Sequence, residues 1–109
     1  MNMIKNQKNF KEKVLSQPGI QVIKFYADWS GPCQVMAPIF SELSSYYSSS
    51  VTFFTIDVEV APSLKEELGV KELPTILFYQ NGEVIDFVNG MISKNALIAK
   101  LENTINQNN

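Results

Sequence analysis

The 109 residues hold nine Lys and Arg against eleven Asp and Glu, and 45% of them are hydrophobic. That suits one domain over residues 1–109 with an ordinary core, and it lacks the cationic stripe that nucleic acid requires. With no histidine and a single cysteine, Cys33, an internal disulfide, a Cys/His zinc site and the imidazole-based nucleophile pairs are excluded.

Asn6 is placed to cap a helix over residues 7–16, with Phe10, Val14 and Leu15 inward, ended by Pro18-Gly19. Residues 21–27 (QVIKFYA) are β-branched and aromatic, as an interior strand requires. From Pro32 onward, Val35, Met36, Ile39, Phe40, Leu43, Tyr46 and Tyr47 recur at helical spacing, with Pro38 inside the pattern. After the polar turn Ser48-Ser49-Ser50 comes a second strand, 51–58 (VTFFTIDV). Ser63 with Glu66 reads as a capping box for a short helix through Leu68, and Gly69 suits its C′ position. Strands at 75–79 and 84–88 flank Asn81-Gly82, a strong hairpin signal. Ser93 caps a last helix carrying Leu97, Ile98, Leu101 and Ile105, and the polar tail 106–109 is expected to fray.

Strands that alternate with helices imply a parallel pair, and the closing hairpin adds antiparallel strands. The fold class is therefore α/β, with a mixed sheet covered on both faces. Phe25, Phe53, Phe54, Phe78 and Phe87 are expected to fill its core. No run of ~18 apolar residues is present to span a membrane. Residues 1–13 also lack the ~7–15-residue apolar segment of a secretory signal, so the expected location is the cytoplasm.

The residues that carry chemistry lie at 27–34, ADWSGPCQ. Trp29-Ser30-Gly31-Pro32-Cys33 resembles Trp-Cys-Gly-Pro-Cys, the active-site motif of the thioredoxin family, with serine in place of the first cysteine. The resemblance covers nearly the whole chain. It takes in Phe25-Tyr26-Ala27-Asp28, Met36-Ala37-Pro38, Gly69-Val70, Leu73-Pro74-Thr75, Asn81-Gly82-Glu83 and Gly90 at near-family spacing. It implies the thioredoxin fold and thiol–disulfide oxidoreduction, with no cofactor or metal held by the chain. In the family the residue at the position of Ser30 is an exposed thiolate that attacks a disulfide, and the one matched by Cys33 is a shielded thiol that resolves the mixed disulfide. Pro74 matches a cis-proline, and Trp29, Gly31, Pro32, Leu73, Thr75, Gly90 and Met91 match the groove around it. The implied partners are protein clients with extended segments or disulfides, together with thioredoxin reductase.

Ser30 breaks this cycle at its first step. A serine hydroxyl is not ionised near neutral pH and no histidine is present to deprotonate it. Its structural reading is an N-cap that accepts the Cys33 N–H. Cys33 has two readings, a buried packing thiol or a monothiol favoured as thiolate by the helix N-terminus. Two further positions depart from the family. Lys24 stands where a buried Asp is usual, and Thr55 where its lysine neighbour is usual. Lys24 is expected to pair with Asp57 or to reach water near Cys33, where it would favour the thiolate; a strand-edge lysine pointing into solvent is the plainer alternative. Asp57 with Glu59 reads as a solvated strand end. Three functional readings remain: a natural client-binding or monothiol thioredoxin-like protein, an active thioredoxin whose attacking cysteine has been substituted, and a purely structural interaction domain with a silent cysteine.

Overall fold

A computed structural model describes residues 2–107. Its central strand, β2 (Ile20–Tyr26), is buried through its first six residues, because helices cover both faces and neither can be polar by simple alternation. β3 (Val51–Asp57) lies beside it in parallel register, with Lys24 opposite Thr55 and Tyr26 opposite Asp57. On the other side, β4 (Thr75–Gln80) runs antiparallel to β2 and β5 (Glu83–Asn89) antiparallel to β4. The outermost strand is β1 (Asn2–Met3), parallel to β3, so the order is β1-β3-β2-β4-β5. Sequence reasoning missed β1, since two residues hold no periodicity to read.

Two cores result. On one face α1 (Gln7–Phe10), its π-helical continuation Lys11–Leu15, and α3 (Pro62–Glu67) bury Phe10, Val14 and Leu64 against Ile23, Phe25, Phe54 and Ile56. On the other, α2 (Gly31–Tyr46) and α4 (Lys94–Gln107) bury Met36, Phe40, Leu43, Leu97 and Leu101 against Val22, Phe53, Ile76 and Phe78. Phe40 meets Phe53 edge to face at 5.5 Å. Each such ring adds about 1.5–3 kcal/mol when fully buried.

Several local expectations are corrected. Leu15 is exposed, because the helix widens: the Ser16 N–H reaches back five residues to Lys11 O, which slips the phase of the inner face. Ala61, with no side-chain bond, caps α3, and Ser63 lies inside it with its hydroxyl accepting from the Gln7 amide at 2.8 Å. The Ser63–Glu66 capping box therefore does not form. Val35 and Tyr46 lie on the solvent side of α2, and Phe87 is 56% exposed on the edge strand β5. Asn106 and Gln107 belong to α4, while the rest of the tail, 108–109, lies outside the described residues.

Other signals translate directly. The Asn6 side chain accepts from Asn9 N–H at 2.8 Å and Ser93 Oγ accepts from Ala96 N–H at 3.1 Å. Asn81 (φ 51°) and Gly82 (φ 82°) form the hairpin turn. A Cβ on Gly82 would stand 2.8 Å from the Leu15 carbonyl oxygen, so glycine is required there by contact as well as by φ.

Candidate functional site

The turn between β2 and α2 places Ser30 at the N-cap (φ −83°, ψ 118°), with Pro32 in the first helical turn, where its missing N–H costs no helix bond. Ser30 Oγ accepts the Cys33 N–H at 3.3 Å, Ser30 N–H donates to Ala27 O at 3.2 Å, and the Gln34 amide donates to Asp28 O at 2.8 Å. The loop is thus held by its own donors. Ser30 is 6% exposed and Cys33 3% exposed. The hydroxyl at the attacking position is therefore enclosed, unlike the exposed group that the family resemblance implies.

Trp29 is 69% exposed and donates its indole N–H to Glu59 at 2.5 Å. Glu59 in turn sits in a turn fixed by its N–H donating to Asp57 Oδ1 at 2.9 Å. The Asp57–Glu59 pair therefore anchors the Trp29 ring, a role that its reading as a solvated strand end missed. Gly31 and Pro32 are exposed beside it.

The second half of the site precedes β4. The Leu73–Pro74 peptide bond is cis. Pro74 O accepts the Gly90 N–H at 2.7 Å, and the Thr75 hydroxyl lies 2.5 Å from Glu72 O and 3.4 Å from Asn89 Oδ1. Gly90 has φ +84°, and a Cβ there would approach Glu72 Oε1 to 2.9 Å. Among the described residues, neither backbone polar group of Leu73 takes a hydrogen bond, and Met91 is exposed nearby in sequence. Among the described residues, no hydrogen bond joins this segment to the 29–32 turn. Each is built independently on the sheet.

Behind the turn, Lys24, Cys33 and Thr55 line one cavity of about 310 Å³, with Tyr26, Ala27, Asp28, Gln34 and Ala37 completing its wall. The parallel register explains the grouping, because Lys24 and Thr55 are paired neighbours, and Cys33 and Ala37 are four apart on one face of α2. Lys24 is 4% exposed, which removes the reading of a strand-edge lysine in solvent. Pairing with Asp57 is also overturned. No ion pair links the two among the described residues, and the Asp57 carboxylate serves the Glu59 N–H instead. The Lys24 ammonium rests 4.9 Å from the Phe40 ring centroid and 5.4 Å from that of Tyr26, contacts worth about 0.5–2 kcal/mol each. Burial lowers its pKa from 10.5, and the charge of Cys33 opposes that shift. Tyr26 is pushed up by burial, then by Asp57 and Asp28. Sequence reasoning missed Tyr26 as a cavity residue, although it shares strand alternation with Lys24, and missed Phe40 as a ring under the ammonium.

Among the described residues no three His, Cys, Asp or Glu side chains gather as a metal site, and no helix is long and apolar enough to cross a membrane.

Residues 2–103 match the family model described as Thioredoxin. The chain belongs to the thioredoxin family. It is 32% identical over 98 residues to a thioredoxin of Rickettsia bellii, covering 90% of this chain and 93% of that one. A chloroplastic M-type thioredoxin of Spinacia oleracea is 31% identical over 97 residues; the match covers 89% of this chain, which spans only 54% of that longer protein. The crystal structure of Malassezia sympodialis thioredoxin superposes with a TM-score of 0.87 at 30% identity, covering 96% of this chain and 90% of that one. The fold is the thioredoxin fold.

Proposed function

We propose that this protein is a thioredoxin-family member that binds extended protein segments in the groove of Trp29, Gly31, Pro32, Leu73, Pro74, Thr75, Gly90 and Met91, and that it cannot run the two-thiol cycle. The unpaired backbone of Leu73 supports strand-like pairing with a client, since main-chain bonds give such grooves their affinity. The observation that carries the loss of cycling is the state of Ser30. It is enclosed, its oxygen caps α2, and the only thiol, Cys33, is buried behind it. A hydroxyl without a base attacks no disulfide at neutral pH, and Cys33 has no second cysteine in the chain with which to close one.

The test is insulin-disulfide reduction with NADPH and thioredoxin reductase, comparing the protein with Ser30→Cys. The protein itself is expected to show no turnover. Ser30→Cys is expected to stay slow, because Lys24 occupies the position of the family's buried acid. Robust turnover by the unsubstituted protein overturns the loss of cycling. Full recovery in Ser30→Cys supports instead an active thioredoxin whose attacking cysteine has been replaced, a reading favoured by the thioredoxin relatives over 90% of the chain.

A further inference from the structure

Cys33 has two sides. Toward the 29–32 turn its N–H is taken by the Ser30 hydroxyl, while toward the sheet the residue lines the cavity of about 310 Å³, and no residue of the peptide groove lines that cavity. Within it, Lys24 is 4% exposed and has neither a hydrogen bond nor an ion pair with any described residue. Its ammonium is not sealed away either, since Gln21 Oε1 is the one fully enclosed side-chain polar atom without a partner among the described residues. The titratable groups facing Lys24 are the Cys33 thiol from α2, the Tyr26 phenol from its own strand and the Asp28 carboxylate at the cavity wall, while Thr55 offers a hydroxyl from β3. A buried cation that makes no ion pair with a carboxylate is a receptor for an anion that forms nearby. The Cys33 thiol lines the same cavity and interacts electrostatically with the Lys24 ammonium.

We propose that the Lys24–Thr55 cavity is a site at which Cys33 is oxidised by small hydroperoxides to a sulfenate held by Lys24, through an entrance separate from the client groove. The Cys33 thiolate attacks the terminal oxygen of R–O–O–H. The S–O bond forms as the O–O bond breaks, and sulfur loses the two electrons that the peroxide gains. The departing alkoxide takes a proton from the Lys24 ammonium and leaves as R–OH. The sulfenic acid then returns its proton to the Lys24 amine, so the pair ends as sulfenate and ammonium. Size selects the oxidant: a thiol 3% exposed at the end of such a cavity is closed to a protein disulfide and open to a molecule of a few atoms. The sulfenate is the reversible rung of cysteine oxidation, and with no second cysteine in the chain it cannot collapse to an internal disulfide.

The test treats the full chain with hydrogen peroxide at neutral pH and a 1,3-diketone trap for sulfenic acid, read by intact-protein mass. Folded protein is expected to gain the adduct at Cys33 about tenfold faster than the same chain in urea, and Lys24→Met is expected to lose that advantage. A phospholipid hydroperoxide, far larger than the cavity of about 310 Å³, is expected to react far more slowly than hydrogen peroxide. An inert folded thiol, an unchanged rate in Lys24→Met, or equal rates with the two peroxides overturns the proposal. Should Lys24→Met fail to fold by circular dichroism, the size comparison on the unsubstituted chain decides alone. No client or disulfide is used, so the result stands apart from the insulin assay.

Discussion

The two sides of Cys33 are built on opposite logic. On the groove side, the chain satisfies itself with backbone geometry: a cis bond at Leu73–Pro74, a 2.7 Å bond from Gly90 to Pro74, and a capped turn at Ser30. On the sheet side, side chains set the character, and a lysine that makes no ion pair with a described carboxylate rests against two aromatic rings. The difference teaches that the proposed groove can persist while the interior beside the thiol changes, because the two share no lining residue and meet through the turn, where the Cys33 N–H donates to Ser30 Oγ and the Ser30 N–H to Ala27 O. Perturbing the sheet side should therefore alter stability and thiol reactivity while leaving the groove's backbone intact.

The strongest way to break that separation is Phe40→Ala. The ring is fully buried, packs on Phe53, and lies under the Lys24 ammonium. Deleting it leaves a cavity and should cost about 3–5 kcal/mol by urea unfolding. If the separation holds, the folded fraction of the variant keeps its affinity for an extended client peptide. Loss of both together would show one coupled unit.

Lys24→Met comes next in size. Burying a polar group without a hydrogen bond costs about 1–3 kcal/mol in proteins, so the variant should be more stable by an amount in that range, reduced by the lost ring contacts. Its pH dependence follows from the direction of the Lys24 shift. The folded state holds the Lys24 proton less tightly than the unfolded chain, whose value is 10.5. Below the folded pKa the penalty is present in full. Between the folded pKa and 10.5 the unfolded state binds more protons, so parent stability rises with pH relative to the variant. Unfolding midpoints at pH 6 and pH 10 should show the gap closing. Taking the difference also cancels Tyr47 and Tyr79, pushed up to about 12 by the Glu102 hydrogen bond and by burial respectively. A gap that widens toward pH 10 would mean that the fold stabilises the ammonium.

What the sequence disclosed, and what it hid, divides along the same line. The four longer strands, the helix caps at Asn6, Ser30 and Ser93, and the Asn81-Gly82 turn are local, and local chemistry was enough to find them. The α/β class with a mixed sheet followed from element order. Ser63–Glu66 misled because a capping box needs a particular backbone start, and the preceding Ala61-Pro62 moved that start by two residues. Leu15 misled because the π-turn changed the helical period. The environment of Lys24 was out of reach for a different reason. Strand alternation gives a face, but only the register of β2 on β3 and the height of α2 above them decide that Thr55, Cys33 and Phe40 surround the ammonium while Asp57 turns to Glu59. Phe87 escaped because nothing in its own strand says that β5 is an edge.

The smallest expected effect falls on Ser30 itself, where the two sides meet. Ser30→Ala removes the oxygen that accepts the Cys33 N–H at 3.3 Å, while the Gln34 N–H to Ser30 O bond at 3.0 Å survives, since it uses the backbone. N-cap losses of this kind cost about 1 kcal/mol. The bond is long for its type, and Ser30 is enclosed, so the cost should fall at or just under that figure. The informative readout is Cys33. If Ser30 only caps the helix, alkylation of Cys33 by iodoacetamide in Ser30→Ala should rise no more than the loss of stability allows, because access still requires opening of the turn. An increase well beyond that would mean that the Ser30 hydroxyl screens the thiol directly, and the seal between groove and cavity would then rest on one side chain.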